Sequence, residues 1–408
     1  MDRSTARIAF TALTIATIVV LGGCMDASLS QSGNAPASIS IQDAPSTLGD
    51  IDLTISGPGM SDIQETVDRN TDAVVIEVPV GPDREFEATG FLNSDTTAFY
   101  EGLSTSGVGP GGAQVGLPMG LRSKIVIPDD GFSTQRIVRL DSVQDGADGW
   151  QTNGVGVAYD VDFDEFGRMY LAMQENTPGA LLRLDTFGQA TPEQLAPTLQ
   201  FLISVAVDRS NQRVYVLESF STNVHELRYD GTIEGLVDLS ALPSSEDIGG
   251  IAVDDDGALF VVQEDYVSKV DPDTGSILSS FRYAEYGFGP GQTNDFAVDI
   301  SFQNQSVYLL LEETEALSSI VRLDAGLTGI VEQYGSSAND PADDPGEFDT
   351  PRRFVATLNR KITVADSGAD QVVSLDDLDG DGWTTFGSSG SGIGQFDFRF
   401  FDLPAPGS

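Results

Sequence analysis

Between Ser38 and about Arg122, short apolar or alternating runs recur between turn signals: SISI (38–41), IDLTIS (51–56), AVVIEVPV (73–80), REFEATGF (84–91), TAFYEG (97–102) and AQVGLPM (113–119). Gly-Pro, Gly-Pro-Asp and Asn-Ser-Asp separate them. Several period-two segments at this spacing predict an antiparallel β-sandwich over 39–122.

From Lys124 onward the pattern repeats. An apolar residue followed by Asp recurs at Leu140-Asp141, Leu184-Asp185, Tyr229-Asp230, Val270-Asp271, Leu323-Asp324 and Leu375-Asp376, with a Gly-containing turn after each. A second landmark, an apolar strand preceded by a turn, appears as SKIVIP (123–128), GRMYLA (167–172), QRVYVL (212–217), GALFVV (257–262), QSVYLL (305–310) and RKITVA (360–365). A unit of about 40–50 residues is the length of a four-stranded propeller blade, and stacking blades around an axis buries both faces of each sheet. The first copy, Lys124 to Trp150, matches Lys361 to Trp383, so it begins one strand late. At the other end GQFDFRFFDLP (394–404) matches GEFDTPRRFVA (346–356) and then stops. The expectation is an all-β chain: a small sandwich, then a six-bladed β-propeller over 123–408 whose sixth blade joins 124–153 to the carboxyl-terminal strand, leaving no open sheet edge.

The stretches YGSS, PGEFDTPRRFVA, KITVADSGADQVVSLD and FGSSGSGIGQFDF resemble the NHL-repeat unit, in which a Gly-rich loop leads to G-x-F, an inner strand and a V-A-D turn. The resemblance is close in blades five and six and loose in the others. It implies a binding platform, a minority of such propellers being lyases or lactonases that hold a metal in the channel; that ligand set does not map onto this sequence. Residues 39–122 resemble the immunoglobulin-like or transthyretin-like modules that precede other domains in bacterial surface proteins, which implies a spacer or an adhesive module.

Ahead of the strands lie a short basic start (Arg3, Arg7), an apolar run from Ile8 to Val20, and Leu21-Gly22-Gly23-Cys24. Residues 1–23 read as a secretory signal. The small residues before Cys24 are similar to a bacterial lipobox, which implies diacylation of Cys24 and an extracytoplasmic protein held by its lipid to the membrane, the outer membrane in a Gram-negative cell. An ordinary signal peptide with an incidental Cys is the plainer alternative. Residues 24–38 read as a flexible tether.

Charge narrows the partners. Sixty-three Asp and Glu against 21 Lys and Arg give −42, and losing Asp2, Arg3 and Arg7 with the signal makes it −43. Such a chain repels nucleic-acid phosphates, so nucleic acid is excluded as a partner. The acidity is either a face for cations or basic partners, or solvation in a saline habitat. With one His (His225) and one Cys (Cys24), no disulfide or Cys/His zinc cluster can form, and a Ser-His-Asp triad could use only His225. His225 reads as a surface residue on an outer strand.

Two acidic patterns remain. Asp377, Asp379 and Asp381, followed by Gly382, have the D-x-D-x-D-G spacing of a calcium loop, but position twelve is Ser388 rather than Glu, so the alternative is an acidic turn. Asp141, Asp145 and Asp148 are a poorer copy. One acid also follows the second landmark strand in each blade: Asp129, Glu175, Glu218, Glu264, Glu312 and Asp366. These could form an anionic ring on one face, or cap backbone N–H groups in turns. The functional expectation is a cell-envelope lipoprotein whose propeller binds a protein or small-molecule ligand, with no catalytic set, calcium the one cofactor suggested, and the membrane met only through the anchor. A carboxylate- or metal-dependent hydrolase or lyase is the second reading and a structural envelope protein the third.

Overall fold

The computed structural model describes residues 33–398 apart from short internal stretches, the longest of them 284–295 and 336–347. Among the described residues there is no α-helix, and no helix long and apolar enough to cross a membrane. Cys24 and the signal lie outside the described residues.

The amino-terminal unit contains β1 (Asn34–Gln42), β2 (Leu48–Ser56), β3 (Ile63–Asp68), β4 (Val74–Pro79), β5 (Gly81–Leu92), β6 (Ala98–Val108), β7 (Ala113–Pro118) and β8 (Gly120–Leu121). Strands β4-β1-β7 make one sheet and β3-β2-β5-β6-β8 the other. Alternation sets their faces: in β2, Ile51, Leu53 and Ile55 point inward while Asp50 and Asp52 face solvent. These residues share a core with Ala37 and Ile39 of β1, Phe86 and Ala88 of β5, and Val115 and Leu117 of β7. The result is a two-sheet sandwich. It departs from expectation in three ways. β1 starts at Asn34, within the stretch read as tether, and buries Ala35 and Ala37. β1 and β7 pair in parallel, so the unit is mixed rather than wholly antiparallel. β3, IQETVD, was not legible because no side chain in it is fully buried; its pairing with β2 makes it a strand.

The second unit begins with β9 (Ile125–Asp129), β10 (Arg136–Leu140) and β11 (Gln151–Asn153), a three-stranded sheet. Five four-stranded sheets follow, each a meander in chain order. Blade one is β12 (Ala158–Phe163), β13 (Met169–Met173), β14 (Leu181–Leu184) and β15 (Glu193–Leu195). Blade two is β16 (Leu202–Asp208), β17 (Arg213–Glu218), β18 (Asn223–Arg228) and β19 (Ile233–Asp238). Blade three is β20 (Ile248–Val253), β21 (Leu259–Gln263), β22 (Tyr266–Asp271) and β23 (Ser276–Arg282). Blade four is β24 (Phe296–Gln303), β25 (Ser306–Thr314), β26 (Leu317–Asp324) and β27 (Ile330–Tyr334). Blade five is β28 (Pro351–Ala356), β29 (Ile362–Asp366), β30 (Gln371–Leu375) and β31 (Thr384–Phe386).

First strands of successive blades lie side by side, β12 against β16, β16 against β20, β20 against β24 and β24 against β28. The second strands, the apolar landmarks of the sequence, bury residues on both faces and fill the space between sheets. Tyr215 and Leu217 meet Leu259 and Val261, Phe260 and Val262 meet Val307 and Leu309, and Tyr308 and Leu310 meet Val364 and Val373. Ala365 and Val372 then pack on Ile127, Val138 and Leu140 of the three-stranded sheet, whose Ile137 joins the core of blade one. Six sheets thus close into a ring, a β-propeller.

The three-stranded sheet and blade five have matching corners. Trp383 packs on Phe348 of G-E-F at 5.3 Å and on Tyr334 at 6.2 Å. Trp150 packs on Phe396 of G-Q-F at 5.5 Å and on Phe386 at 6.2 Å. Each triad joins the last strand of the preceding blade, the G-x-F loop and the Trp of the same blade. The 394–398 segment is also held by Arg136, whose guanidinium donates to the carbonyls of Ser391 and Gln395 at 2.8 and 2.7 Å. Residues 399–404, the remainder of the expected closing strand, lie outside the described residues.

Candidate functional site

In blades two and five, and in the three-stranded sheet, the acid that ends the second strand takes one equivalent place, whereas in blades one, three and four the register puts Met173, Gln263 and Leu311 there, so that Glu175, Glu264 and Glu312 fall one or two residues beyond it. Glu218 pairs with Leu202 at the start of β16, and Asp366 with Pro351 at the start of β28. Each then accepts the backbone N–H two residues before that first strand: Gln200 donates to Glu218 Oε1 at 3.0 Å and Asp349 to Asp366 Oδ1 at 2.7 Å. In the sixth sheet, Asp397 donates to Asp129 Oδ1 at 2.9 Å. These acids therefore fasten the incoming loop of their own blade. Asp129 and Asp366 are 0% exposed, so they are not members of an open anionic ring. Glu175 and Glu264 lie outside the described residues, as does the side chain of Glu312, whose backbone pairs with Phe296 in β25.

The second carboxylate oxygen differs from blade to blade. Arg136 Nε donates to Asp129 Oδ2 at 2.7 Å, Gln371 Nε2 to Asp366 Oδ2 at 3.1 Å, and His225 Nε2 lies 2.9 Å from Glu218 Oε2. His225 is thus half-buried on β18, the third strand of blade two, rather than a free surface residue. Neither partner of Glu218 was legible from sequence, because Gln200 depends on the β16–β17 register and His225 on the β17–β18 register.

Next to Gln200, Phe201 has φ of 51° and is 44% exposed. The equivalent in blade five, Thr350, has φ of 56° and is buried. The left-handed backbone, an expensive conformation for a bulky residue, is therefore shared by blades two and five, and blade two uses it to hold an aromatic ring in solvent. Ser219 N–H donates to the Phe201 carbonyl at 2.8 Å, fixing the two segments to each other. Phe201, Glu218 and His225 together put an apolar ring, a carboxylate and an imidazole on one corner of the propeller.

The first strands add a feature that sequence reading missed. Each carries a bulge, and the residue that follows it occupies one equivalent position: Asp160, Ser204, Gly250, Asp299 and Arg353. Asp160 accepts from Ser204 Oγ at 2.8 Å and Val205 N–H at 2.9 Å, and Ser204 Oγ accepts from Ile251 N–H at 3.2 Å, so each stitches its blade to the next. Arg353 Nε donates to the Tyr159 carbonyl of blade one at 2.6 Å. Burial raises the Asp160 carboxyl above the usual carboxylate range, opposed by the charge of Arg353 and the hydrogen bonds from Val205, Ser204 and Val161. Aligning AYDVDF, LISVAVD and PRRFVA on their bulges would have revealed the position, but a bulge leaves no residue-type signature.

Of the calcium-loop residues, Asp379 and Asp381 are exposed in one turn, closed by a bond from Asp376 N–H to the Asp381 carbonyl at 2.8 Å. Asp377 lies outside the described residues, as do Asp141, Asp145 and Asp148. Gly382 has φ of +71°, and a Cβ there would sit 2.2 Å from Asp376 Oδ2. Among the described residues no group of three or more His, Cys, Asp or Glu is placed to hold a metal.

No family model and no curated protein matches the chain. Solved structures similar to it include a nidogen/laminin complex (13% identity, 64% of this chain and 91% of that chain, TM-score 0.46). A hydrazine synthase of Kuenenia stuttgartiensis (10%, 54% and 77%, 0.39) and a virginiamycin B lyase from Staphylococcus aureus (13%, 58% and 75%, 0.38) are also similar. The propeller assignment rests on the strand order and inter-blade packing described above.

Proposed function

We propose that this protein is a lipid-anchored protein of the bacterial envelope whose propeller is a binding platform, with the blade-two corner around Phe201 as its contact point. The observation that carries the reading is the difference between two equivalent positions, Thr350 turned inward and Phe201 turned out. A ring already fixed on a strained, hydrogen-bonded backbone loses little conformational freedom on association, which favours it as an anchor. Glu218 and His225 beside it supply polar recognition, and a net charge of −42 favours a partner with basic groups. The test is affinity capture from the native envelope with wild type and Phe201→Ser. The variant should lose the species that wild type enriches while keeping its melting temperature; equal enrichment by both proteins would remove Phe201 from the reading.

A further inference from the structure

Asp366 and Asp129 are the same residue of two adjacent sheets. Asp366 ends β29 opposite Gln371, the first residue of β30, and Asp129 ends β9 opposite Arg136, the first residue of β10. Both are wholly buried and both hold the amide of the Asp in a G-x-F-D loop. They differ at the cross-strand neighbour. Arg136 brings a guanidinium to 2.7 Å and neutralises its carboxylate, while Gln371 brings an amide to 3.1 Å and does not. A buried carboxylate without a counter-charge is costly in its ionised form, and the protein can avoid that cost by taking up a proton.

We propose that Asp366 is a proton-operated latch: buried without a counter-charge, it fastens the incoming loop of blade five through Asp349 at least cost when protonated, and its ionisation is a cost borne at the seam between blades four and five. Burial pushes its carboxyl up to about 7, against the bonds from Gln371 and the Asp349 amide. Among the described charged groups on the elements packed around it, Arg352 and Arg353 on β28, Asp349 and Asp370 in the flanking turns, and Asp129, Arg136 and Arg139 on the adjoining three-stranded sheet, Asp349 acts on this titration, in the same direction as burial. The sign follows from linkage. The folded-state value lies above the unfolded one of about 4, so folding takes up a proton between them. The stability contributed by this proton is complete below pH ~4 and is lost as pH rises to about 7. The seam concerned is the Tyr334–Phe348–Trp383 triad, since Phe348 adjoins Asp349.

The latch is tested by melting the full chain between pH 4 and 8 at fixed ionic strength, comparing wild type with Asp366→Asn, Gln371→Arg and Arg136→Gln. A chain with 63 acidic residues has a large general pH dependence, so the differences between curves carry the result. Asp366→Asn keeps a carbonyl for the Asp349 amide and should remove about one proton of uptake on folding. Gln371→Arg should flatten the curve equally by installing the partner that Asp129 has, and Arg136→Gln should steepen it. Gln371→Arg decides the matter should Asp366→Asn not fold. Curves of wild type, Asp366→Asn and Gln371→Arg that run parallel across this range would overturn the proposal.

Discussion

Phe396 offers a quantitative test of how the ring is closed. Its side chain is 0% exposed, stacked on Phe398 at 5.2 Å, and in contact with Trp150 and Phe386. Truncation to Ala forfeits about 1.5–3 kcal/mol of apolar transfer, and the cavity left among three rings brings the expected loss to about 3–5 kcal/mol. For a chain of this size that corresponds to a fall in melting temperature on the order of 5–10 °C. Phe348→Ala is the internal standard, since Phe348 is 4% exposed in the matching triad and leads directly into β28. The only two Trp residues, Trp150 and Trp383, report the two triads separately. Phe396→Ala should therefore perturb Trp150 emission, Phe348→Ala that of Trp383, and the two melting temperatures should fall by similar amounts. If Phe348→Ala falls as expected and Phe396→Ala melts within about 1 °C of wild type, the 394–398 segment is a tail resting on the ring and does not close it.

Two further outcomes are expected. Calcium at fixed ionic strength should raise the melting temperature through Asp377, Asp379 and Asp381, with an affinity of about 10⁻⁴ to 10⁻³ M for a loop lacking the bidentate Glu. At about 100 times the dissociation constant the gain is roughly 2.7 kcal/mol, and it should vanish in Asp379→Asn with Asp381→Asn; an undiminished gain in that double variant would leave only an acidic turn. Cys24→Ala should abolish fatty-acid labelling and release the protein from membranes, and unchanged membrane fractionation of the variant would remove the lipid anchor.

The repeat was legible because its signals are local. The apolar second strands, GRMYLA to RKITVA, are buried on both faces in every blade, so each shows as an uninterrupted hydrophobic run whatever surrounds it. The match of 394–397 to 346–349 was equally readable, and the bonds from Asp397 and Asp349 to equivalent acids place the two loops alike. What sequence could not supply was register. The acids after the second strands were visible, but their partners Gln200, Asp349 and Asp397 come from loops up to 268 residues away, so a buried fastening and an exposed ring looked the same. The corner at Phe201 was hidden for a related reason: left-handed backbone at a Phe has no composition signal, and it became meaningful only beside Thr350. β3 was missed because a strand held by pairing with little burial has no hydrophobic alternation to read.

The central place of β1 in its sheet has a mechanical consequence. β4 runs antiparallel on one side of it and β7 parallel on the other, with Ala37 to Ile39 paired to both. A pull transmitted along the chain toward Asn34 would act along this strand, so the hydrogen bonds on both flanks bear the load together, in shear, and cannot break singly as they would at a peeled edge. Ala35, Ala37 and Ile39 would also have to slide out of the sandwich core in the same movement. The strand that follows the expected tether is thus the one that resists extraction from both sides at once.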